Sequence, residues 1–135
     1  MIAGGRPSRT IFVNLPVKDP SAAREFFTKL GFSFNAEFSD GDCACMVVDR
    51  NIYVMLLDRD RFADFVNGEI SDATKSTEVL LCLTVDSKEE VECTVAAAIA
   101  AGGKPWKPMF EAGPTCGGSF QDLDGHVWEL MYAAK

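Results

Sequence analysis

Residues 10–32, TIFVNLPVKDPSAAREFFTKLGF, read as a complete passage from strand to helix. The run TIFVNLPV is β-branched and apolar, as a buried strand requires. Asp19 can then cap a helix whose first position suits Pro20, since proline lacks only an N–H that would find no partner there. Ala22, Ala23, Phe26, Phe27 and Leu30 recur at helical spacing, and Gly31 stops the helix. Three strand candidates follow, FSFNAEF at 32–38, CACMVVD at 43–49 and IYVMLL at 52–57. The turn-forming Asp40-Gly41-Asp42 and Asp49-Arg50-Asn51 separate them.

The order β-α-β-β-β then recurs. EVLLCLTV at 78–85 predicts a strand, and Ser87 with Glu90 forms a capping-box signature ahead of the helix EEVECTVAAAIAAGG, ended by Gly102. KPWKP, TCGGSFQD and HVWELMY supply three more extended segments, the last two joined by the turn Leu123-Asp124-Gly125. Two modules, at about 10–57 and 78–132, thus make one α+β domain of 135 residues. The segment at 58–77 between them combines an amphipathic piece bearing Phe62, Phe65 and Val66 with a polar loop. It serves as a lid or dimer contact, or simply covers the end of a sheet.

Composition excludes several classes of function. The chain is 47% hydrophobic and 24% charged, enough to bury a core. Thirteen basic against twenty acidic residues leave a net charge of −7, so no basic footprint exists for nucleic acid or an anionic membrane. No apolar run approaches the roughly 20 residues of a membrane span, and MIAGGRPSRT lacks the apolar core of a signal peptide, so a cytoplasmic protein is expected. Cys43, Cys45, Cys82, Cys93 and Cys116 form neither a metal-binding C-x-x-C pair nor a disulfide framework, which fits free thiols.

The doubled β-α-β-β-β unit ending in SFQDLDGHVWELMY at 119–132 resembles the vicinal oxygen chelate superfamily of glyoxalases, bleomycin-resistance proteins and extradiol dioxygenases. The likeness is strongest to its small glyoxalase-family branch, through IFVNLPVKD, YVMLL and STEVLL. It implies curled mixed sheets whose concave sides form a cleft, commonly across a homodimer. It also implies four metal-ligand positions: Phe12, Leu80, Glu129, and Val54, or Met55 if the register shifts by one. Three of these four are apolar, and a lone carboxylate cannot replace the water shell of a divalent ion. No metal or other cofactor is therefore expected, and the resemblance points to the metal-free binding branch.

Strand periodicity places Glu129 opposite Trp128 and Leu130 and beside Val127 and Met131. A carboxylate on that apolar face is the one candidate catalytic residue, able to move a proton; the alternative is a glutamate at the wet margin of the sheet. His126 stands three residues earlier, so on a strand it faces away from Glu129 and is expected to support the hairpin or the subunit contact. Asp122 and Asp124 read as turn formers. Asn14 shares a face with Phe12 and either orients a ligand carbonyl or is a satisfied interior amide. Phe12, Val54, Leu80, Trp106, Met109 and Phe110 would supply an apolar lining.

Close relatives carry an aromatic residue and an arginine in a YGRSF-like stretch where this chain has Cys116 and Gly118, which removes a ready anion clamp. Cys116 has no base beside it in sequence and reads as an inert thiol. The expected function is binding of a small organic molecule by a homodimer with a largely apolar cleft. The alternative is a glyoxalase-like lyase or isomerase that holds vicinal oxygens on a metal, and proton transfer by Glu129 alone is a third route.

Overall fold

The computed structural model describes residues 8–134. The chain divides into two compact units, the first running to Ile70 and the second starting at Ser71. Each holds one open mixed sheet with a long helix packed on it, and a short third helix belongs to the first unit.

The first unit runs β1 (Ile11–Val17), α1 (Pro20–Lys29), β2 (Ser33–Phe34), a 3-10 turn (Ala36–Phe38), β3 (Cys43–Asp49), β4 (Ile52–Asp58) and α2 (Arg59–Ala63). Its sheet order is β1-β4-β3-β2, with β1 parallel to β4 and the other pairs antiparallel. α1 begins as expected: the Asp19 carboxylate accepts from the amides of Ser21 at 3.0 Å and Ala22 at 3.4 Å, with Pro20 at the first turn. Gly31 follows in the left-handed region at φ 101°. Leu15, Val17, Met46, Val54 and Leu56 lie on one face of the sheet and are buried with Phe26 and Phe27 of α1.

The stretch 32–38, expected as one strand, pairs only at Ser33–Phe34 before turning. Asn35 accounts for the break, because its side chain accepts from the Glu37 amide at 2.9 Å and closes a local turn in place of a ladder bond.

The second unit runs β5 (Leu80–Thr84), α3 (Lys88–Ala100), β6 (Lys104–Pro105), β7 (Phe110–Ala112), β8 (Thr115–Gln121) and β9 (Val127–Ala133). β5 is parallel to β9, β9 antiparallel to β8, and β8 also pairs with β6 and β7. The cap forms as expected in one half: Glu90 N–H donates to Ser87 Oγ at 3.0 Å, while Glu90 Oε1 reaches one residue further back and accepts from the Asp86 amide at 3.1 Å. β7 is the element the sequence reading lacks. KPWKP shrinks to two paired residues, since both prolines lack a donor for the ladder.

In each unit the chain entering the first strand rests on that unit's own hairpin turn. Ile11 N–H donates to the Asn51 carbonyl at 2.9 Å. In the second unit the Ala73–Thr74 backbone lies against Gly125, whose φ is 88° and whose Cβ, if present, would be 2.9 Å from the Ala73 carbonyl. Only glycine fits both that dihedral and that approach.

Candidate functional site

The two modules share one register, and it settles which side chains have a common face. In the first, Phe12 pairs with Tyr53 and Asn14 with Met55. In the second, Leu80 pairs with Val127 and Cys82 with Glu129. Phe12 therefore corresponds to Leu80, and the residue two beyond its partner is Met55 in one module and Glu129 in the other. Val54 is 2% exposed and points into the core, so the position equivalent to Glu129 is Met55. Met55 rather than Val54 faces outward because Val54 pairs with Val13 of β1 and with the buried Met46 of β3 on the core face, a cross-strand register that the hydrophobic pattern does not reveal.

Phe12, Asn14 and Met55 line a cavity of about 420 Å³ on the outer face of the first sheet. Phe12 lies flat on Tyr53, ring centroids 5.1 Å apart and planes 15° from parallel. Asn14 is exposed, its Nδ2 reaching back to the Phe12 carbonyl at 3.4 Å, so it is not an interior amide. The rest of the lining is a wall of Glu37, Phe38 and Asp40 from the 3-10 turn and the loop after it, with Cys43 at the start of β3 and Arg61 of α2.

Local bonds hold that wall in place. The Asp58 carboxylate caps α2 by accepting from the Arg61 amide at 2.8 Å, and the Arg61 guanidinium lies 3.8 Å from the Asp42 carboxylate. Asp40 accepts from the Asp42 amide at 2.8 Å, and that bond, first among several causes, holds its carboxyl below the usual range. Cys43 donates its thiol to the Phe38 carbonyl at 3.3 Å, and burial pushes the thiol up, so it is a poor nucleophile.

On the second sheet, Leu80, Cys82, Glu129 and Met131 share the face away from α3. Leu80 is 53% exposed and Glu129 is half-buried. Ser119 lies beside Glu129 in the ladder and bonds across to the Lys107 amide at 3.0 Å, fixing the segment that carries Trp106 and Met109. Phe110 sits over Gly117, where an added Cβ would come within 2.5 Å of its ring, so that glycine makes room for the phenyl group. Trp106 and Phe110 are partly exposed, as a lining residue must be. Sequence reasoning passed over Cys82, the ladder partner of Glu129 on β5; its thiol is pushed up by desolvation and by the Glu129 charge.

The four positions that the resemblance marks for metal ligands are thus Phe12, Met55, Leu80 and Glu129, and they offer one oxygen donor among them. No group of three or more histidine, cysteine, aspartate or glutamate side chains converges on one point among the described residues. This donor set does not fit a resident divalent ion, which takes three or more oxygen or nitrogen ligands.

The hairpin polar residues have another task. Asp122 is 5% exposed and its carboxylate accepts three bonds: from Asp124 N–H at 2.9 Å, His126 N–H at 3.0 Å and Trp128 Nε1–H at 2.9 Å. Desolvation pushes its carboxyl up against the opposing pull of His126. His126 is 7% exposed within this turn. Asp122 is a turn former as expected, but its bond to the buried indole makes it the polar centre of the hairpin as well.

Gly118 faces α3: a Cβ there would lie 3.0 Å from Val95 and 3.1 Å from Val91. An arginine at this position would enter the helix–sheet interface, so Gly118 is no missing anion clamp on the outer face. All five cysteines are unpaired. Among the described residues no helix is long and apolar enough to cross a membrane.

A family model described as bleomycin resistance protein-like N-terminal matches residues 9–49. A hypothetical protein of S. aureus is 26% identical in its solved structure, with a TM-score of 0.81 over 96% of both chains. A glyoxalase/bleomycin resistance protein/dioxygenase family enzyme of Burkholderia phytofirmans PsJN is 21% identical, TM-score 0.73, covering 90% of this chain and 96% of its own. Residues 9–49 are thus similar to a bleomycin resistance protein-like N-terminal segment, and the chain shares the fold of these solved structures. A glyoxalase-related enzyme of Fulvimarina pelagi, 18% identical with a TM-score of 0.78 over 93% of this chain and 88% of its own, has the same fold. No curated protein matches the chain. The chain keeps the doubled module of these folds while carrying Phe12, Met55 and Leu80 at positions that the resemblance marks for ligands.

Proposed function

We propose that this chain is a small-molecule-binding protein of the glyoxalase/bleomycin-resistance type, holding an organic ligand against the outer face of the first sheet without a resident metal. The observation that carries this reading is the cavity of about 420 Å³ lined by Phe12, Asn14 and Met55. Its volume falls within the range of ligand sites, roughly 300–1,000 Å³. Its lining mixes aromatic surface with a few polar groups, which is the usual composition of such sites. An apolar residue at a ligand position removes a donor and adds contact area for a ligand's carbon skeleton, so loss of metal chemistry and gain of binding surface are one change.

The chain works as a homodimer in this reading. Leu80, Phe110 and Met131, on the second sheet and its margin, expose apolar surface that a second copy would cover. Glu129 is then a polar anchor within apolar surroundings, with proton transfer a secondary role.

The test joins metal analysis to a binding measurement on purified protein prepared without chelators. Metal content well below one ion per chain is expected, together with chemical-shift changes at the Met55 methyl and the Asn14 side-chain amide when an organic ligand is titrated. Close to one divalent ion per chain, or turnover of a methylglyoxal–thiol adduct that Glu129→Gln abolishes, would sink this reading in favour of a metal-dependent lyase.

A further inference from the structure

The charges around the first-sheet cavity are unbalanced, and the imbalance specifies a ligand. Its lining holds two carboxylates, Glu37 and Asp40, and one guanidinium, Arg61. Arg61 is already engaged: its ion-pair contact is Asp42 at 3.8 Å, and the guanidinium also lies 6.0 Å from the Phe65 ring centre. It acts on Asp40 only at longer range. Neither Glu37 nor Asp40 belongs to the ion pairs Glu25–Lys29, Asp42–Arg61 and Lys88–Glu111. Asp40 stays ionised through its bond from the Asp42 amide. Counting Asp42 with Arg61, a net charge of about minus two remains around a cavity whose other lining is Phe12, Phe38, Met55, Cys43 and Asn14.

The apolar half has a matching geometry. Phe12 is held flat by its stack on Tyr53 and is 48% exposed, so one ring face is open. Phe38, 55% exposed, adds a second aromatic surface to the lining. Aromatic faces attract cations through their quadrupole, so rings and carboxylates favour the same ligand charge. An anion would meet the two carboxylates with one arginine, already drawn toward Asp42 and Asp40, to receive it.

We infer that the cavity selects a flat aromatic cation, its ring laid on Phe12 and its positive charge met by Glu37 and Asp40. This rests on the binding reading above and adds the chemical class of the ligand. The whole-chain charge of −7 acts in the same direction, raising the local concentration of cations. Asn14 accepts a hydrogen bond from the ligand's edge through its Oδ1.

The test compares three bicyclic probes of similar size on the full chain at neutral pH: N-methylquinolinium, neutral quinoline and anionic 2-naphthoate. Affinity is read by calorimetry and location by shifts at Met55 and Asn14. The cation should bind about 10-fold tighter than quinoline, and the preference should shrink as salt rises. Glu37→Gln should lower cation affinity about fivefold while leaving quinoline unchanged, as expected for one charge at a partly exposed site. Asp40→Asn keeps an acceptor for the Asp42 amide and should behave alike, so the two variants guard against loss of loop structure in either one. Equal binding of all three probes, tighter binding of 2-naphthoate, or an unaltered cation affinity in both variants would overturn the ligand class and leave the binding site standing. Absence of shifts at Met55 and Asn14 with every probe would remove the site itself.

Discussion

Replacing Asp122 by alanine should destabilise the second unit by about 2–4 kcal/mol. The carboxylate accepts from two buried donors, the His126 amide and the Trp128 indole, and from the part-buried Asp124 amide, all within 3.0 Å. Alanine leaves these donors without their partner, and a buried orphaned donor costs about 1–3 kcal/mol. Two such losses give roughly 2–6 kcal/mol before any compensation. Removing a carboxylate whose burial already disfavours its charge returns part of this, which sets the lower net figure. Both tryptophans, Trp106 and Trp128, lie in the second unit, so fluorescence during urea unfolding reports that unit, while far-UV circular dichroism follows both. The fluorescence midpoint should fall by about 1–2 M urea for a slope near 2 kcal/mol/M. A change under about 0.5 kcal/mol would mean the three bonds are not formed as described, since that is the scatter of ordinary surface substitutions.

Asp122→Asn gives a pH signature. The folded-state value is raised above the unfolded one, so ionising Asp122 opposes folding; this penalty is absent below about pH 3.9, grows through the raised value and is complete above it. The difference in stability between the parent and the asparagine variant, followed by urea titration, should therefore move against the parent as pH rises from about 4, and movement the other way would contradict the desolvation account. Gly118→Arg should cost at least about 3 kcal/mol or prevent folding, because it drives an unpaired charge between β8 and α3; a normal melting temperature would show that this face is open. Gly125→Ala should cost about 1–3 kcal/mol through its positive φ and the clash with Ala73, read in the same unfolding assay. Phe12→Ala should leave stability within about 1.5 kcal/mol yet weaken ligand binding about 10-fold, a separation that calorimetry and thermal melting resolve together.

Patterns confined to one segment were legible in the sequence. Asp19, Pro20, Gly31, Ser87 and Gly102 mark helix ends because capping depends on atoms a few residues apart. The doubled order of elements follows from these marks and the apolar runs between them. What the sequence concealed depends on pairing across strands. Whether Val54 or Met55 faces outward turns on one residue of register between β1 and β4, and a slip of one inverts every side chain of the strand. Cys82 stands beside Glu129 only through the β5–β9 ladder. Gly118 looked like a lost ligand-binding residue because the resemblance supplied a position without a direction. Asp122 was readable as a turn former, but its bond to an indole six residues on requires the hairpin to close. The cavity wall from Glu37 to Asp40 lay within a stretch read as strand, and the turn at Asn35 turned it over the sheet face.

The seating of each lead-in on its own hairpin turn, Ile11 on Asn51 and Ala73 on Gly125, bears on how such a chain could be copied, cut or rejoined. The heritable unit is then larger than the apolar pattern suggests: it starts upstream of the first strand, at the residues that close over the turn. A transplanted or circularly permuted second module opening at residue 78 would carry a bare Gly125 notch, whereas one opening at Ser71 brings the chain that fills it.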